Sequence, residues 1–140
     1  MRTMKKYQEV LGSTNEIALA TSVDNIPNVR IVNYCYNPEQ PDILYFASDR
    51  SNQKVKEFDR NNRIAFTSIP SEGIPHIRSI KAAVQKSSNT INDMAQLFIS
   101  AIPGYEETIA AIGDTLDVFE IRVSEALIIE GFEEPDVITF

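Results

Sequence analysis

The chain contains few of the residues that build metal centres, disulfide frameworks and hydrolytic active sites. Its 140 residues include one cysteine, one histidine and no tryptophan. A single cysteine, Cys35, excludes an intramolecular disulfide and a cysteine-rich metal site, and it fits a reducing, cytoplasmic compartment. No Ser-His-Asp triad or metal cluster can be assembled around His76, the only histidine. We therefore predict no metal site, and we assign no catalytic residue from the sequence.

Cationic residues are scarce as well. The chain has 13 lysines and arginines against 20 aspartates and glutamates, which gives a formal net charge of −7. An acidic chain without a basic patch argues against binding to nucleic acid or to an anionic membrane surface. No apolar run has the length of a signal peptide or of a transmembrane helix. Any bound anion must be held by a local group of cations that works against the overall charge.

Length and composition predict one domain over residues 1–140, because 43% hydrophobic and 24% charged residues are typical of globular proteins. The hydrophobic periodicity predicts a mainly β (α+β) fold with short helices around the strands. A small closed antiparallel barrel would remove exposed sheet edges, and an open sheet covered by helices is the alternative. We expect strands at 16–23, 29–36, 43–48, 63–69, 76–86 and 116–123, and residues 126–130 either continue the last strand or form a short return strand. We expect helices at 3–11, 53–60, 90–101 and 106–112, and a loop at 70–75.

The most informative stretch is 17–69, which places an arginine inside the second strand and a lysine at the start of a helix. Arg30 is the strand residue, and Lys54 follows three small or polar residues at 51–53. Cations beside the free N–H groups of a helix N-terminus are suited to holding a phosphate. Arg30 also shares a strand face with Tyr34 and Tyr36, an amphipathic surface suited to a planar ring. A phosphorylated cofactor is therefore the leading hypothesis.

Each of these residues also has an ordinary structural interpretation. Lys54 would equally be a solvated helix residue, and Arg30 would equally pair with an acidic residue across the sheet. Ser48, at the end of the third strand, is of a type that often forms turns. Cys35 is most simply a small buried residue rather than a redox group.

The ordered series nevertheless resembles the pyridoxamine 5′-phosphate oxidase-like family of FMN-binding split barrels. The likeness covers about residues 15–130 and is clearest over 17–69, where strand, turn, proline and the Arg30 strand precede the 44–48 strand and the 51–54 run. The resemblance implies a six-stranded antiparallel split barrel. It also implies a homodimer that holds FMN in the groove between its subunits.

Carried onto this chain, the family pattern places the cofactor-binding residues on two strands and one helix. Arg30 would border the flavin and its phosphate, and Gln53 and Lys54 would grip the phosphate. The family often has Arg-Lys where this chain has Gln-Lys, so one positive charge is lost. The full expected set is Arg30, Ile31, Val32, Asn33, Ala47, Ser48, Gln53 and Lys54.

Two departures from the family pattern speak against oxidation of vitamin B6. The true pyridoxamine phosphate oxidase has a substrate lysine where this chain has Cys35. It also has a C-terminal arginine–histidine signature, which is absent from the tail EGFEEPDVITF. We expect an FMN-dependent oxidoreductase that acts on a small molecule or a reduced nicotinamide. The alternatives are a non-enzymatic flavin-binding or flavin-buffering protein, and a haem-binding module with His76 as an axial ligand.

Overall fold

The computed structural model describes residues 2–70, 72–73 and 75–140. The expected loop at 70–75 includes Ser71 and Ile74, which lie outside the described residues. The strands are β1 (Glu16–Val23), β2 (Ile26–Asn33), β3 (Cys35–Tyr36), β4 (Ile43–Asp49), β5 (Arg63–Ser68), β6 (His76–Lys86), β7 (Leu116–Ile129) and β8 (Asp136–Thr139). The helices are α1 (Arg2–Gly12), α2 (Gln53–Arg60), α3 (Ala95–Ala101) and α4 (Tyr105–Ile112), with a 3-10 turn at Gly113–Thr115.

The strands form one antiparallel sheet in the order β2-β1-β5-β6-β7-β4-β3, and β8 adds to β7. The two ends of this order belong to a single run of chain, because β2 and β3 are separated only by Tyr34. One half of that run pairs with β1 and the other half pairs with β4. The sheet therefore curls back on itself as a split barrel, and the predicted fold class is confirmed.

The described residues form eight strands, more than the six that the family resemblance implies. Tyr34 leaves the strand ladder because its N–H donates to Asn15 O at 2.9 Å and its hydroxyl donates to Leu11 O at 2.6 Å. This interruption divides the expected second strand into β2 and β3. The tail adds β8, which the sequence pattern did not indicate. Residues 126–129 continue β7, which was one of the two expectations for that segment.

One helix begins later than expected. The spacing of Thr90 and Asp93 predicts a capping box at the start of the 90–101 helix. The two residues exchange its two hydrogen bonds, at 2.8 and 3.1 Å. The residues that follow form turns, and α3 starts only at Ala95. The cap was predicted correctly, whereas the helix boundary at residue 90 was wrong.

Three phenylalanines hold α2 against the barrel. Phe58 of α2 lies over Phe46 of β4 and Phe119 of β7, with ring centroids 5.8 and 5.7 Å apart. Phe46 and Phe119 stack at 5.4 Å inside the barrel. Aromatic pairs at these distances contribute beyond their buried area. Their packing fixes the position of α2 relative to the sheet.

The outer surface of four neighbouring strands carries exposed aliphatic side chains. Val29 and Ile31 of β2 are 64% and 61% exposed, and Ile80 of β6 is 74% exposed. Small residues of β1 and β5 fill the space between them. We call this surface the apolar face, and its residues are Ala18, Ala20, Val29, Ile31, Ala65 and Ile80.

Candidate functional site

The N-terminus of α2 is built by a short polar turn after β4. The side chain of Asn52 accepts a hydrogen bond from Lys54 N at 3.1 Å, which makes Asn52 the helix cap. Asp49 organises the turn before it, because its carboxylate accepts from both the N–H and the hydroxyl of Ser51, at 2.8 and 2.5 Å. This turn places Gln53 and Lys54 in the first turn of α2.

Arg30 reaches from β2 towards α2 and is held on three sides. Its Nη1 donates to Leu19 O at 3.0 Å, and its Nη2 donates to Thr21 Oγ1 at 3.1 Å and to Glu57 Oε1 at 2.7 Å. The side chains of Arg30 and Glu57 are only 20% and 12% exposed. Arg30 therefore has an acidic partner, but that partner lies on the helix and not across the sheet.

Glu57 is held as firmly as Arg30. Its Oε1 also accepts from the Thr21 hydroxyl at 2.7 Å, and its Oε2 accepts from Asn28 Nδ2 at 3.2 Å. The hydrogen bond from Thr21, followed by those from Asn28 and Arg30, lowers the pKa of Glu57, although burial acts in the opposite direction. Stabilisation by this carboxylate is present above its ordinary pKa and is lost as the pH falls through the lower, folded-state pKa.

Lys54 lies one helical turn before Glu57 and is half-buried. Across residues 2–70, 72–73 and 75–140 its ammonium group has neither a hydrogen bond nor an ion pair. Burial, and then the guanidinium of Arg30, lower the pKa of Lys54, while Asp49 partly opposes them. The two predicted cations are thus within electrostatic range of each other, and among the described residues Arg30 has a contacting counter-ion whereas Lys54 has none.

The remaining predicted residues lie in different surroundings. Gln53 is exposed and, together with Lys56 and Glu57, lines an open cavity of about 430 Å³ between α2 and the β1–β2 hairpin. Ser48 is buried, and its hydroxyl donates to Asp49 O at 3.1 Å. Ala47 points to the opposite face of β4 and packs against the apolar cluster beneath α3. Gln53 therefore adjoins the Arg30–Glu57 pair, whereas the side chain of Ala47 does not.

The expected platform for a planar ring is mostly part of the core. Tyr34 is fully buried, and the hydroxyl of Tyr36 donates to Gln8 O of α1 at 2.8 Å. Val32 packs against the main core cluster, while Ile31 and Asn33 are exposed on the outer surface of β2. Of that strand face, only the end with Arg30 adjoins the polar cluster.

Two residues with potential chemistry are not part of this cluster. Cys35 is 2% exposed and lies in the apolar cluster beneath α3, where burial raises the pKa of its thiol to about 12. This confirms the ordinary interpretation of Cys35 as a buried residue. His76 is half-buried at the start of β6. Within the described part of the chain, no group of three His, Cys, Asp or Glu residues could hold a metal ion.

Sequence reasoning did not select Glu57, Thr21 or Asn28. A signal for the last two was present, because Asp24-Asn25 predicts a two-residue hairpin turn, and such a turn pairs Thr21 with Asn28. Both turn residues indeed have positive φ, 53° and 64°. Glu57 had only its spacing from Lys54 as a signal, since three positions along a helix return to the same side.

These features define a small split-barrel protein with a cationic cluster between a hairpin and a helix. The sequence profile of the family described as pyridoxamine 5′-phosphate oxidase-like matches residues 10–134. The chain belongs to this family. No match was found among curated proteins. No helix of the described residues is both long enough and apolar enough to cross a membrane.

Solved structures share the fold at low sequence identity. A heme binding protein from Mycobacterium smegmatis has a TM-score of 0.75 and 13% identity; the match covers 97% of this chain but 57% of that protein. A protein from Clostridium acetobutylicum, related to general stress protein 26 of the pyridoxinephosphate oxidase family, has a TM-score of 0.75, 10% identity and coverages of 99% and 95%. An FAD-binding protein from Mesorhizobium loti has a TM-score of 0.68, 16% identity and coverages of 91% and 94%.

The burial of Cys35 predicts that its thiol is inert in the native protein. Since the thiolate is the reactive form and burial disfavours it, Cys35 should react with a disulfide reagent at pH 8 only as the protein unfolds. Absorbance of the released chromophore in native buffer and in guanidinium would measure this. Rapid stoichiometric labelling of the folded protein would show that the thiol is accessible.

Proposed function

We propose that this chain binds FMN and holds its phosphate with Lys54 and Arg30. Lys54 supplies the main support, because its half-buried ammonium contacts no anion among the described residues and is within electrostatic range of the Arg30 guanidinium. Such an arrangement is unfavourable in isolation, and a phosphate between the two groups would offset the repulsion. Gln53, exposed at the start of α2, is placed to add an amide hydrogen bond.

Bound FMN would supply a group that accepts and passes on hydride equivalents, so the protein needs mainly to bind and orient it. Arg30 has a second possible role there, because a cation near the N1/O2 edge of a flavin stabilises negative charge on the ring. We propose an oxidoreductase that acts on a small molecule or a reduced nicotinamide. Oxidation of pyridoxamine phosphate is disfavoured, because the position of the substrate lysine is taken by the buried Cys35.

A haem-binding role is the second candidate. It is supported by the structural likeness to the M. smegmatis heme binding protein and by the presence of one histidine, His76. The likeness to the M. loti FAD-binding protein supports a flavin instead. We favour FMN because Lys54 and Arg30 match a phosphate group, whereas His76 is a single half-buried residue at a strand end.

The visible spectrum of the purified protein, recorded with and without added FMN, tests the proposal. We expect a flavin spectrum, and anaerobic mixing with NADH or NADPH should bleach it if the protein is an oxidoreductase. A flavin spectrum that persists with every reductant would favour storage. No binding at micromolar FMN, together with a haem Soret band that disappears in His76→Ala, would replace the proposal with the haem alternative.

Removal of the Lys54 ammonium should weaken FMN binding selectively. One charge-assisted contact contributes about 1.5–3 kcal/mol, so Lys54→Ala should lower FMN affinity roughly tenfold to a hundredfold. Riboflavin, which has no phosphate, should lose little. Flavin fluorescence titration measures both affinities, and Lys5→Ala, which changes an exposed lysine of α1, is the control. Equal losses for both flavins would place the phosphate elsewhere.

We also propose that the protein is a homodimer with the cofactor at the subunit boundary, and that the apolar face meets a second copy of the chain. Exposed aliphatic surface of this kind commonly marks an interface. Val29 and Ile31 alternate with Arg30 along β2, so a partner on the apolar face would cover the opposite side of the strand that carries Arg30. A two-fold dimer would bury the same face on both subunits.

Introducing a charge on the apolar face should separate the subunits. Ile80→Glu would bury an unpaired carboxylate at the interface, so analytical ultracentrifugation should show a monomer, and FMN affinity should fall with dimerisation. Ile112→Glu, on an exposed residue of α4 outside this face, should leave the dimer intact. A dimer that persists in Ile80→Glu would exclude this face as the contact.

A further inference from the structure

Glu57 holds the guanidinium that the proposed phosphate site needs. Its Oε1 lies 2.7 Å from Arg30 Nη2 and also accepts from Thr21, so the pair is braced from both sides. We propose that Glu57 competes with the phosphate of a bound ligand for Arg30, and thereby limits the preference of the site for FMN over riboflavin. This inference rests on the proposed phosphate site.

The hydrogen bonds of Arg30 show how complete this competition is. A guanidinium has five N–H donors and binds an anion best through two parallel donors. Nη2 already serves two acceptors, Thr21 and Glu57, and Nη1 serves Leu19 O. One N–H on Nη1 and the Nε–H remain. A phosphate that is to be held by two parallel donors must therefore displace Glu57 or Thr21.

The Glu57 side chain has open space beside it into which it could move if a phosphate displaced it from Arg30. Its side chain lines the open cavity between α2 and the β1–β2 hairpin, and Lys56 lines the same cavity. If Glu57 stays in place, its charge repels the phosphate across Arg30. If it moves, the bonds to Arg30, Thr21 and Asn28 are lost. In both cases the binding affinity for a phosphorylated ligand is lowered, whereas the affinity for an unphosphorylated ligand is unaffected.

Among the described residues, Glu57 is the only carboxylate that forms an ion pair with either Arg30 or Lys54. Lys54 has no contacting counter-ion among the described residues; the carboxylate of Asp49 accepts hydrogen bonds from Ser51 and acts on Lys54 only without contact. Glu57 is therefore the carboxylate that neutralises one of the two cations, and Lys54 is left as the main attraction for the anion. Removing only the charge of Glu57 would leave the positive charge of Arg30 without its counter-ion, so that it could attract a phosphate.

Glu57→Gln removes the charge with little change in side-chain volume. Its amide oxygen can still accept from Arg30 and Thr21, whereas its amide nitrogen cannot accept from Asn28 as Oε2 does. FMN affinity should rise about tenfold or more, while riboflavin affinity should stay within the titration error. Asp59→Asn is the matched control, since it removes the same charge from an exposed position of the same helix. Glu57→Ala, which removes the side chain as well, should shift the FMN-to-riboflavin ratio in the same direction.

An unchanged or lower FMN-to-riboflavin ratio in both Glu57 variants would overturn the inference, and would leave the proposed function in place if the wild type binds FMN. Binding of inorganic phosphate can be tested in the absence of any flavin. A ligand of the folded state raises the unfolding midpoint, so phosphate should stabilise Glu57→Gln more than wild type or Asp59→Asn. That result without any FMN binding would support the competition and reject the proposed cofactor. No added stabilisation by phosphate would count against the competition.

Discussion

The ion pair between Arg30 and Glu57 joins the two elements on which the candidate site depends. Arg30 belongs to the β1–β2 hairpin and Glu57 to α2, and Thr21 links their side chains in a closed set of hydrogen bonds. Because both groups are largely buried, loss of either partner would leave an unpaired charge in a poorly solvated place. The same pair decides how much positive charge is free for a ligand, so structure and binding are coupled through one contact.

The barrel makes that contact possible. Phe58 anchors α2 on Phe46 and Phe119, and the run from β2 to β3 connects the two ends of the sheet order. Tyr34 lies at the point where this run changes partners, and its hydroxyl is tied to α1. The position of the cluster therefore results from barrel curvature and aromatic packing, since the hairpin and the helix are far apart in the sequence.

The cationic cluster of this pyridoxamine 5′-phosphate oxidase-like protein carries little net positive charge. Gln53 is uncharged, and Glu57 neutralises Arg30. Both features limit the positive charge near Lys54. A phosphate bound at this cluster would thus be attracted mainly by Lys54.

Local patterns in the sequence determined most strand positions, the hairpin at Asp24-Asn25 and the position of Lys54 at the start of α2. Each of these depends on neighbouring residues or on a familiar order of elements. The division of the second strand at Tyr34 and the pairing of β8 with β7 depended on distant partners, so they could not be predicted. Glu57 shows the same limit. Its helical position was predictable, but only the packing of α2 onto the hairpin decided that its carboxylate would contact Arg30 and that Lys54 would have no ion-pair partner among the described residues.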